Sequence, residues 1–336
     1  MGTAEAETVE ILRESGQAYQ SDLVRATGFS RATISEVLAS LERRRMVRRF
    51  KEGRNSKVVF AAGRRRAGRR LRLGFARAAE YPFLVPFRRL VREDGVELEF
   101  RVYENGVGVA RDLSLERLDI GIAPLIALFT MHSLDAPFKI IGAAGSGGSS
   151  VLAGRKRKPA RGDGVTAVCT RMSTMEMLIR SAESHHEIPE LGELVYANSP
   201  SEIRRALASG SVDLCSIWEP YATMLEASGA KRIVRYSELS DHVCCVMAAG
   251  THLGDRALSR LSRRFSASMS AFIKDRDSFS APFAALSGLD STTIRKVAGE
   301  YSYPVGLDSA SVVRQLRAAG SGLPSPGSFA DAVFRE

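Results

Sequence analysis

The chain has 336 residues, 44% hydrophobic and 26% charged, a balance that excludes general disorder and leaves room for two to three domains. Its formal net charge of +10 is unevenly placed: residues 1–70 carry 16 basic and 8 acidic side chains, whereas the remaining 266 carry 32 and 30. No run approaches the roughly 20 apolar residues of a membrane span, and Met1–Thr8 carries acids instead of an apolar core, so no membrane partner and no secretory signal are expected.

The basic excess belongs to the first fifth of the chain, which points to a polyanion partner for that part alone. Val9, Ile11 and Leu12 mark an amphipathic helix that stops near Ser15-Gly16. A second short helix is predicted from about Ser21 to Thr27, with Leu23 and Val24 inward. Gly28-Phe29 then makes a sharp turn, because Gly accepts the left-handed conformation that ends a helix. Ser30 is placed to cap the third helix, where Ile34, Val37, Leu38 and Leu41 form one buried stripe. The opposite side carries Arg31, Thr33, Ser35, Glu36 and Ser40. Two strands, Met46–Lys51 and Lys57–Ala61, are predicted to form a hairpin with Arg54 at its tip and Gly53 and Asn55 in the turn.

The stretch TGFSRATISEVLASLERRRMVRRFKEGRNSKVVF, residues 27–60, resembles the winged helix-turn-helix domain of MarR-type regulators. The resemblance rests on the Gly-apolar-Ser turn, the Leu-Glu pair ending the third helix, and the Gly-Arg wing. It implies a double-stranded DNA partner, with the third helix in the major groove and the wing arginine in an adjacent minor groove. The DNA-contacting residues expected on that basis are Ser30, Arg31, Thr33, Ser35, Glu36, Arg54 and Lys57. Arg43, Arg44, Arg45, Arg48, Arg49 and Lys51 surround them and are suited to phosphates. The domain is bounded at residue 62, and residues 63–70, with five arginines among glycines, read as a basic linker.

From Leu71 onward the pattern becomes short apolar strands alternating with helices. Strands are predicted at Leu71–Phe75, Leu98–Tyr103, Asp119–Ala123 and Phe138–Ala143, with helices around Pro82 to Arg92, over Val107–Leu118 and after Pro124. A second set follows the polar stretch Arg155–Gly164. Its strands are Val165–Cys169, Leu194–Ala197 and Val212–Trp218, and its helices are Ser173–Ser184 and Pro200–Ala208. Val243–Ala248 is expected to cross back to the first set. The alternation calls for an α/β fold with parallel strands and crossover helices, whose ligands bind beyond the strands' carboxyl ends. Ala76–Tyr81, Glu104–Gly106 and Gly145–Ser149 are therefore the loops that matter.

Residues 71–336 resemble the two-lobed type 2 periplasmic-binding-protein fold, in the branch of sulfonate, nitrate and thiamine-precursor binders. The segments that carry this are LRLGF at Leu71, LERLDIGIAP at Leu115, FKIIGAAGSGGSSVLAG at Phe138, SVDLCSIWEPYATMLEASGA at Ser211 and HVCCVMAAG at His242, with a VVRQLRAAGSG–PSPGSFAD tail. The resemblance implies lobe I at about 71–160 and 245–336, lobe II at about 161–244, and a cleft that closes on a small molecule. It places Arg77, Glu80 and Tyr81 at the cleft, together with Gly145, Ser146, Gly147, Gly148 and Ser149. Arg171, Ser173 and Thr174 reach it from the second lobe in an arrangement suited to an anion, and Trp218 and Glu219 complete it. The ligand class implied is a sulfonate, a nitrate-like anion or a thiamine-pyrimidine precursor.

Catalysis has little in its favour. GSGGSS lacks the Gly-Lys-Ser/Thr continuation of a nucleotide loop. The four cysteines, Cys169, Cys215, Cys244 and Cys245, show no metal-ligand spacing, and adjacent Cys244 and Cys245 on a strand would face opposite ways. Reduced thiols and a cytoplasmic location are expected. His185-His186 reads as a solvated loop pair, and His132, His242 and His252 as isolated residues. Thiamine-pyrimidine synthases share the fold, but this chain lacks their cysteine-rich run; an enzyme of that type with an appended DNA-binding module is the alternative. The leading expectation is a cytoplasmic, homodimeric, ligand-responsive transcription regulator with no cofactor, no metal and no enzymatic activity. Its logic resembles that of LysR-type regulators, with different modules.

Overall fold

The computed structural model describes residues 3–15, 17–44, 46–52, 55–60, 70–155, 164–240, 243–304, 306–307, 310 and 333–334. Arg45, Gly53, Arg54, His242, residues 63–69 of the expected linker, most of the polar stretch 155–164 and the glycine-rich tail lie outside them. The chain divides into two compact units, Met1–Gly68 and Arg69–Glu336.

In the first unit, helices α1 (Thr3–Ser15), α2 (Gln20–Thr27) and α3 (Arg31–Arg43) pack on three strands, β1 (Gln17–Tyr19), β2 (Val47–Glu52) and β3 (Asn55–Phe60). The sheet is antiparallel in the order β1-β3-β2. Gly28 ends α2 at a φ of 72°, and the Ser30 hydroxyl accepts from the Thr33 amide at 3.1 Å to start α3. Leu12, Leu23, Ile34, Leu38 and Val58 are fully buried, because the stripe of α3 faces the two other helices and β2, while α1 and α2 cover β3. β1 is an addition to the predicted elements: three residues are too few to show a strand's period, and tertiary pairing with β3 makes the strand.

The second unit runs β4 (Arg70–Ala76), α4 (Leu84–Glu93), β5 (Glu97–Tyr103), α5 (Gly106–Ser114), β6 (Ile120–Pro124), α6 (Leu125–His132) and β7 (Phe138–Gly147). It continues through β8 (Ser149–Ala153), β9 (Val165–Cys169), α7 (Thr174–Ser184), β10 (Leu191–Tyr196), α8 (Pro200–Ser209), β11 (Leu214–Trp218), α9 (Tyr221–Ala227), β12 (Lys231–Arg235) and α10 (Tyr236–Leu239). The last elements are β13 (Cys245–Gly250), α11 (Asp255–Lys274), α12 (Ser280–Ser287), α13 (Ser291–Val297) and β14 (Tyr301–Ser302).

These strands form two sheets, one per lobe: β14-β7-β13-β6-β4-β5 and β10-β9-β11-β8-β12. Parallel pairs β4–β5 and β4–β6 anchor the first, and β9–β10 and β9–β11 the second; β13 runs antiparallel to both of its neighbours. The chain crosses between sheets at Gly148 and again between α10 and β13. The first crossing corrects the lobe boundary expected near residue 160. A run of Gly and Ser reads as a turn by composition; the turn is confined to Gly147 and Gly148, at φ 84° and 64°, and strand runs up to it on both sides, so β7 is four residues longer than predicted.

Lobe I gains an aromatic core beneath the first sheet. Phe83 stacks edge-on with Phe265 at 5.5 Å and Tyr81 at 6.0 Å, and Phe272 meets Tyr303 at 4.8 Å. These contacts fix the loop after β4, and with it Glu80 and Tyr81, against the helices that follow β13.

Candidate functional site

A cleft with about 450 Å³ of empty space, its open mouth included, lies between the lobes at the strand ends. Lobe I contributes Ala76, Ala78, Glu80 and Tyr81 after β4, Gly106 at the start of α5, and Pro124 at the end of β6. Lobe II contributes Thr170, Ser173, Thr174 and Met175 around the start of α7, and Trp218 at the end of β11. Gly147, Gly148 and Ser149 line it at the first crossing, and Cys244 and Cys245 at the second, where Tyr301 also reaches it. All three loops singled out from the sequence reach the wall.

Glu80 is the charged group of this wall. It is buried, and no Lys, Arg or His is among the lining residues. Burial pushes its carboxyl up to about 7, against the opposing pull of the polar groups of Tyr81, Cys245 and Cys244 beside it. The Cys244 Sγ lies 3.6 Å from Glu80 Oε1 and 3.4 Å from the Gly145 carbonyl oxygen, and its S–H can donate a hydrogen bond to either. The Tyr81 hydroxyl donates to Cys245 Sγ at 3.4 Å, and the Tyr303 hydroxyl to the Glu80 carbonyl at 3.1 Å. Gly145 makes room for the carboxylate: a Cβ there would stand 2.6 Å from Glu80 Oε1.

Both adjacent cysteines face the cleft, contrary to the alternation expected of a strand. Cys244 sits one residue before β13, and Ala144 is an extra residue on β7, so the pairing jumps from Cys245↔Gly145 to Val246↔Ala143. Such a bulge re-aims side chains at the end of a ladder. Glu80, Cys244 and Cys245 consequently offer one oxygen and two sulfurs within 4.8 Å of one another, a donor set able to hold a metal ion. Cys169 and Cys215 are buried elsewhere, with thiols that burial pushes up to about 12.

Across the cleft, Ser173 caps α7. Its hydroxyl accepts from the Met175 and Glu176 amides and from Thr170 Oγ1 at 2.7 Å, and donates to the Thr170 carbonyl at 2.6 Å. Those bonds occupy the Met175 and Glu176 amides and both hydroxyl protons, four donors that an anion at this helix start would otherwise use. Thr174 bridges to the second crossing, its hydroxyl donating to the Cys244 carbonyl at 3.5 Å. Trp218 turns its Nε1 to the Arg77 carbonyl at 3.0 Å and stands edge-on to Tyr221 at 5.8 Å.

Five residues expected at the cleft lie off its wall. The Arg77 side chain pairs with Glu104 at 3.6 Å, and Arg171 stacks over the Tyr196 ring at 4.4 Å; both cations find partners on the outside of their loops. Glu219 is fully buried behind Trp218, 2.8 Å from Arg232 Nη2, with its other oxygen accepting from the Thr223 amide. Gly145 lies beneath Glu80, and Ser146 pairs with Ser302 in the β7–β14 ladder. Thr170, Met175, Tyr301, Cys244 and Cys245 were not anticipated. The cysteines alone carried a signal, their chemistry, which the assumption of strand alternation concealed.

In the first unit, Ser30, Arg31 and Glu36 are exposed on α3, while Thr33, Ser35 and Lys57 are half-buried. Ser30 and Thr33 hydroxyls bond to each other at 2.8 Å. Two arginines expected to serve phosphates are engaged within the unit: Arg44 pairs with Glu5, and Arg49 forks onto Glu42 at 2.6 and 2.8 Å. Arg31, Arg43, Arg48 and Lys51 make no such pair among the described residues.

Comparison with known proteins separates the two units. Residues 2–61 match a family described as a domain of unknown function, DUF7343. The chain is structurally similar to the alkanesulfonate-binding protein SsuA from Xanthomonas axonopodis pv. citri bound to MOPS, with 18% identity and a TM-score of 0.64 over 80% of this chain and 98% of that one. It is similar to a zinc-bound ligand-binding component of an ABC-type import system from Staphylococcus aureus (16% identity, TM-score 0.65, 77% and 95%). The periplasmic nitrate-binding protein NrtA from Synechocystis PCC 6803 is a third (12%, 0.62, 79% and 86%). Comparison with curated proteins finds no match. The second unit therefore has the mixed α/β, two-lobed fold of periplasmic binding proteins, as expected. No helix among the described residues is long and apolar enough to cross a membrane.

Proposed function

We propose that the chain is a cytoplasmic, homodimeric transcription regulator, in which the first unit is a winged helix-turn-helix that binds operator DNA and the second senses a small molecule, without catalysing a reaction. The observation that carries this reading is the surface of α3: Ser30, Arg31 and Glu36 stand exposed at its start, behind a Gly28 turn and beside a three-stranded antiparallel sheet, in the part of the chain that holds the net positive charge. That arrangement suits a helix entering the major groove with arginines on the flanking phosphates.

The cleft supports a narrower reading of the effector. Its structural relatives are named for sulfonate and nitrate, but this wall carries a buried carboxyl group and no cation. An uncharged or cationic heterocycle fits better than an inorganic anion, with N–H donors toward Glu80 and its plane near Trp218 and Tyr301.

The test is binding of the full-length protein to a fluorescent duplex from its own upstream region, across a salt series. Each titration is repeated with an alkanesulfonate, nitrate or an aminopyrimidine. Salt-dependent binding altered by the aminopyrimidine is expected. No binding to any duplex at low salt overturns the regulator, and a response to nitrate or sulfonate alone overturns the effector class.

A further inference from the structure

We infer that Glu80, Cys244 and Cys245 form a binding site for a thiophilic divalent metal ion of the Zn²⁺ class at the floor of the cleft. Three features of the geometry carry this. The first is convergence: the three donor atoms lie within 4.8 Å of one another on side chains brought together by the loop after β4 and the second crossing. In a tetrahedral site with Zn–S of about 2.3 Å and Zn–O of about 2.0 Å, donors stand roughly 3.5–3.8 Å apart. A contraction of about 1 Å, within reach of side-chain rotation, closes the shell.

The second feature is the absence of competition: Glu80 is buried on a wall without a cation, so no Lys, Arg or His among the lining residues holds its carboxyl group or repels an incoming divalent ion. The third is the outer partners. The Tyr81 hydroxyl already donates to Cys245 Sγ, and that bond strengthens when the sulfur becomes a thiolate; the Tyr303 hydroxyl and Gly145 fix the Glu80 side. Two adjacent thiols with one carboxylate select zinc or cadmium over magnesium or calcium.

Binding displaces both thiol protons to solvent, together with the proton of whatever fraction of Glu80 is protonated. A divalent ion with two thiolates and one carboxylate carries a net charge of −1. Three protein ligands leave one position open toward the cleft, for water or for a donor atom of the effector. This site does not depend on DNA binding: loss of duplex affinity leaves it standing, and its own failure leaves the regulator reading standing.

The experiment uses the full-length protein, stripped of metal and kept reduced, titrated with Co²⁺ and then with Zn²⁺ against a chromogenic chelator. One equivalent of Co²⁺ should give thiolate-to-cobalt charge transfer in the near ultraviolet, lost on adding Zn²⁺, and about two or more protons should be released per ion at neutral pH. Cys244→Ser with Cys245→Ser should abolish the band and weaken Zn²⁺ binding by about 100-fold or more, and Glu80→Gln should weaken it about 10- to 100-fold. Cys169→Ser with Cys215→Ser should change neither. If the double serine variant does not fold, the wild-type band, the proton count and Glu80→Gln still decide the matter. A wild-type protein without the charge-transfer band, or a band that persists in a folded Cys244→Ser/Cys245→Ser protein, overturns the site.

Discussion

Glu219 Oε1 lies 2.8 Å from Arg232 Nη2, and both side chains are buried. The same guanidinium reaches Glu226 at 2.6 Å, Glu300 at 3.4 Å and the Ser150 hydroxyl at 2.9 Å, so one arginine ties β12 to β11, α9, β8 and the turn before β14. Removing one partner of a buried pair strands the other. Arg232→Ala should therefore cost about 3–5 kcal/mol in urea unfolding. Arg232→Met combined with Glu219→Gln should recover much of that loss. A single variant within about 0.5 kcal/mol of wild type would show that the pair does not hold the second unit together.

Asp119 gives the pH dependence its sign. Burial alone raises its carboxyl, but hydrogen bonds from His252 at 3.1 Å and from the Arg72 side chain and amide at 2.7–3.0 Å outweigh that and hold it well below the ordinary carboxylate range. A lowered folded-state value means stability that is present above about pH 4 and lost as the pH falls below it. Thermal unfolding from pH 6 down to pH 3 should show that loss. Asp119→Asn should be less stable at neutral pH by roughly 2–3 kcal/mol and flatter across the same range. A variant with the wild-type acid profile would assign the dependence to another carboxylate.

Arginines of the first unit should differ in their effect on duplex affinity. Arg31 is exposed at the start of α3, whereas Arg49 is forked onto Glu42. Arg31→Ala should weaken binding about tenfold and lower the salt slope by about 1. Arg49→Ala should cost much less. Equal losses would place the DNA on a different face of the unit.

Trp218 lines the cleft and is the single tryptophan of the chain. Its emission should shift when an effector fills the space beside it, and the signal should vanish in Trp218→Phe while calorimetric binding persists. A ligand that alters operator affinity without moving this emission would bind outside the cleft.

Gly148 stands at the first crossing with a φ of 64°, and a Cβ there would lie 1.9 Å from the Tyr301 ring. Gly148→Ala should therefore destabilise the protein by about 1–3 kcal/mol and displace Tyr301 from the cleft wall. Chemical unfolding with urea measures the first effect. A neutral substitution would mean that Tyr301 does not pack where the structure places it.

Much of the fold was readable because its elements carry long periodic patterns. The α3 stripe of Ile34, Leu38 and Leu41 and the apolar runs of β4, β6 and β11 declare both period and face. Composition marked the turn at Gly147-Gly148 but hid the strands that run up to it on both sides. Strand assignment reaches Gly147 and resumes at Ser149, Gly147 and Gly148 both take positive φ, and Glu80 and Tyr301 lie close against the bare backbone of Gly145 and Gly148. At the cleft, Glu80, Tyr81 and Trp218 were legible as strand-end residues. Arg77, Arg171 and Glu219 were not, because ion pairing with Glu104, stacking on Tyr196 and burial against Arg232 are decided by partners distant in sequence or on neighbouring elements. The cysteine pair was hidden by a single extra residue on the opposite strand, which no local pattern announces.

That extra residue has a mechanical consequence. Cys244 and Cys245 sit where the backbone passes from one lobe to the other, and the Thr174 hydroxyl of the far lobe rests on the Cys244 carbonyl. In a clamp whose grip is at the jaw tips, force reaches the pivot only through the length of the arms. In the proposed metal site the donor sulfurs would be mounted on the crossing segment itself, so an ion a few ångströms across would act on the link between the two sheets directly, as a wedge does in a door hinge.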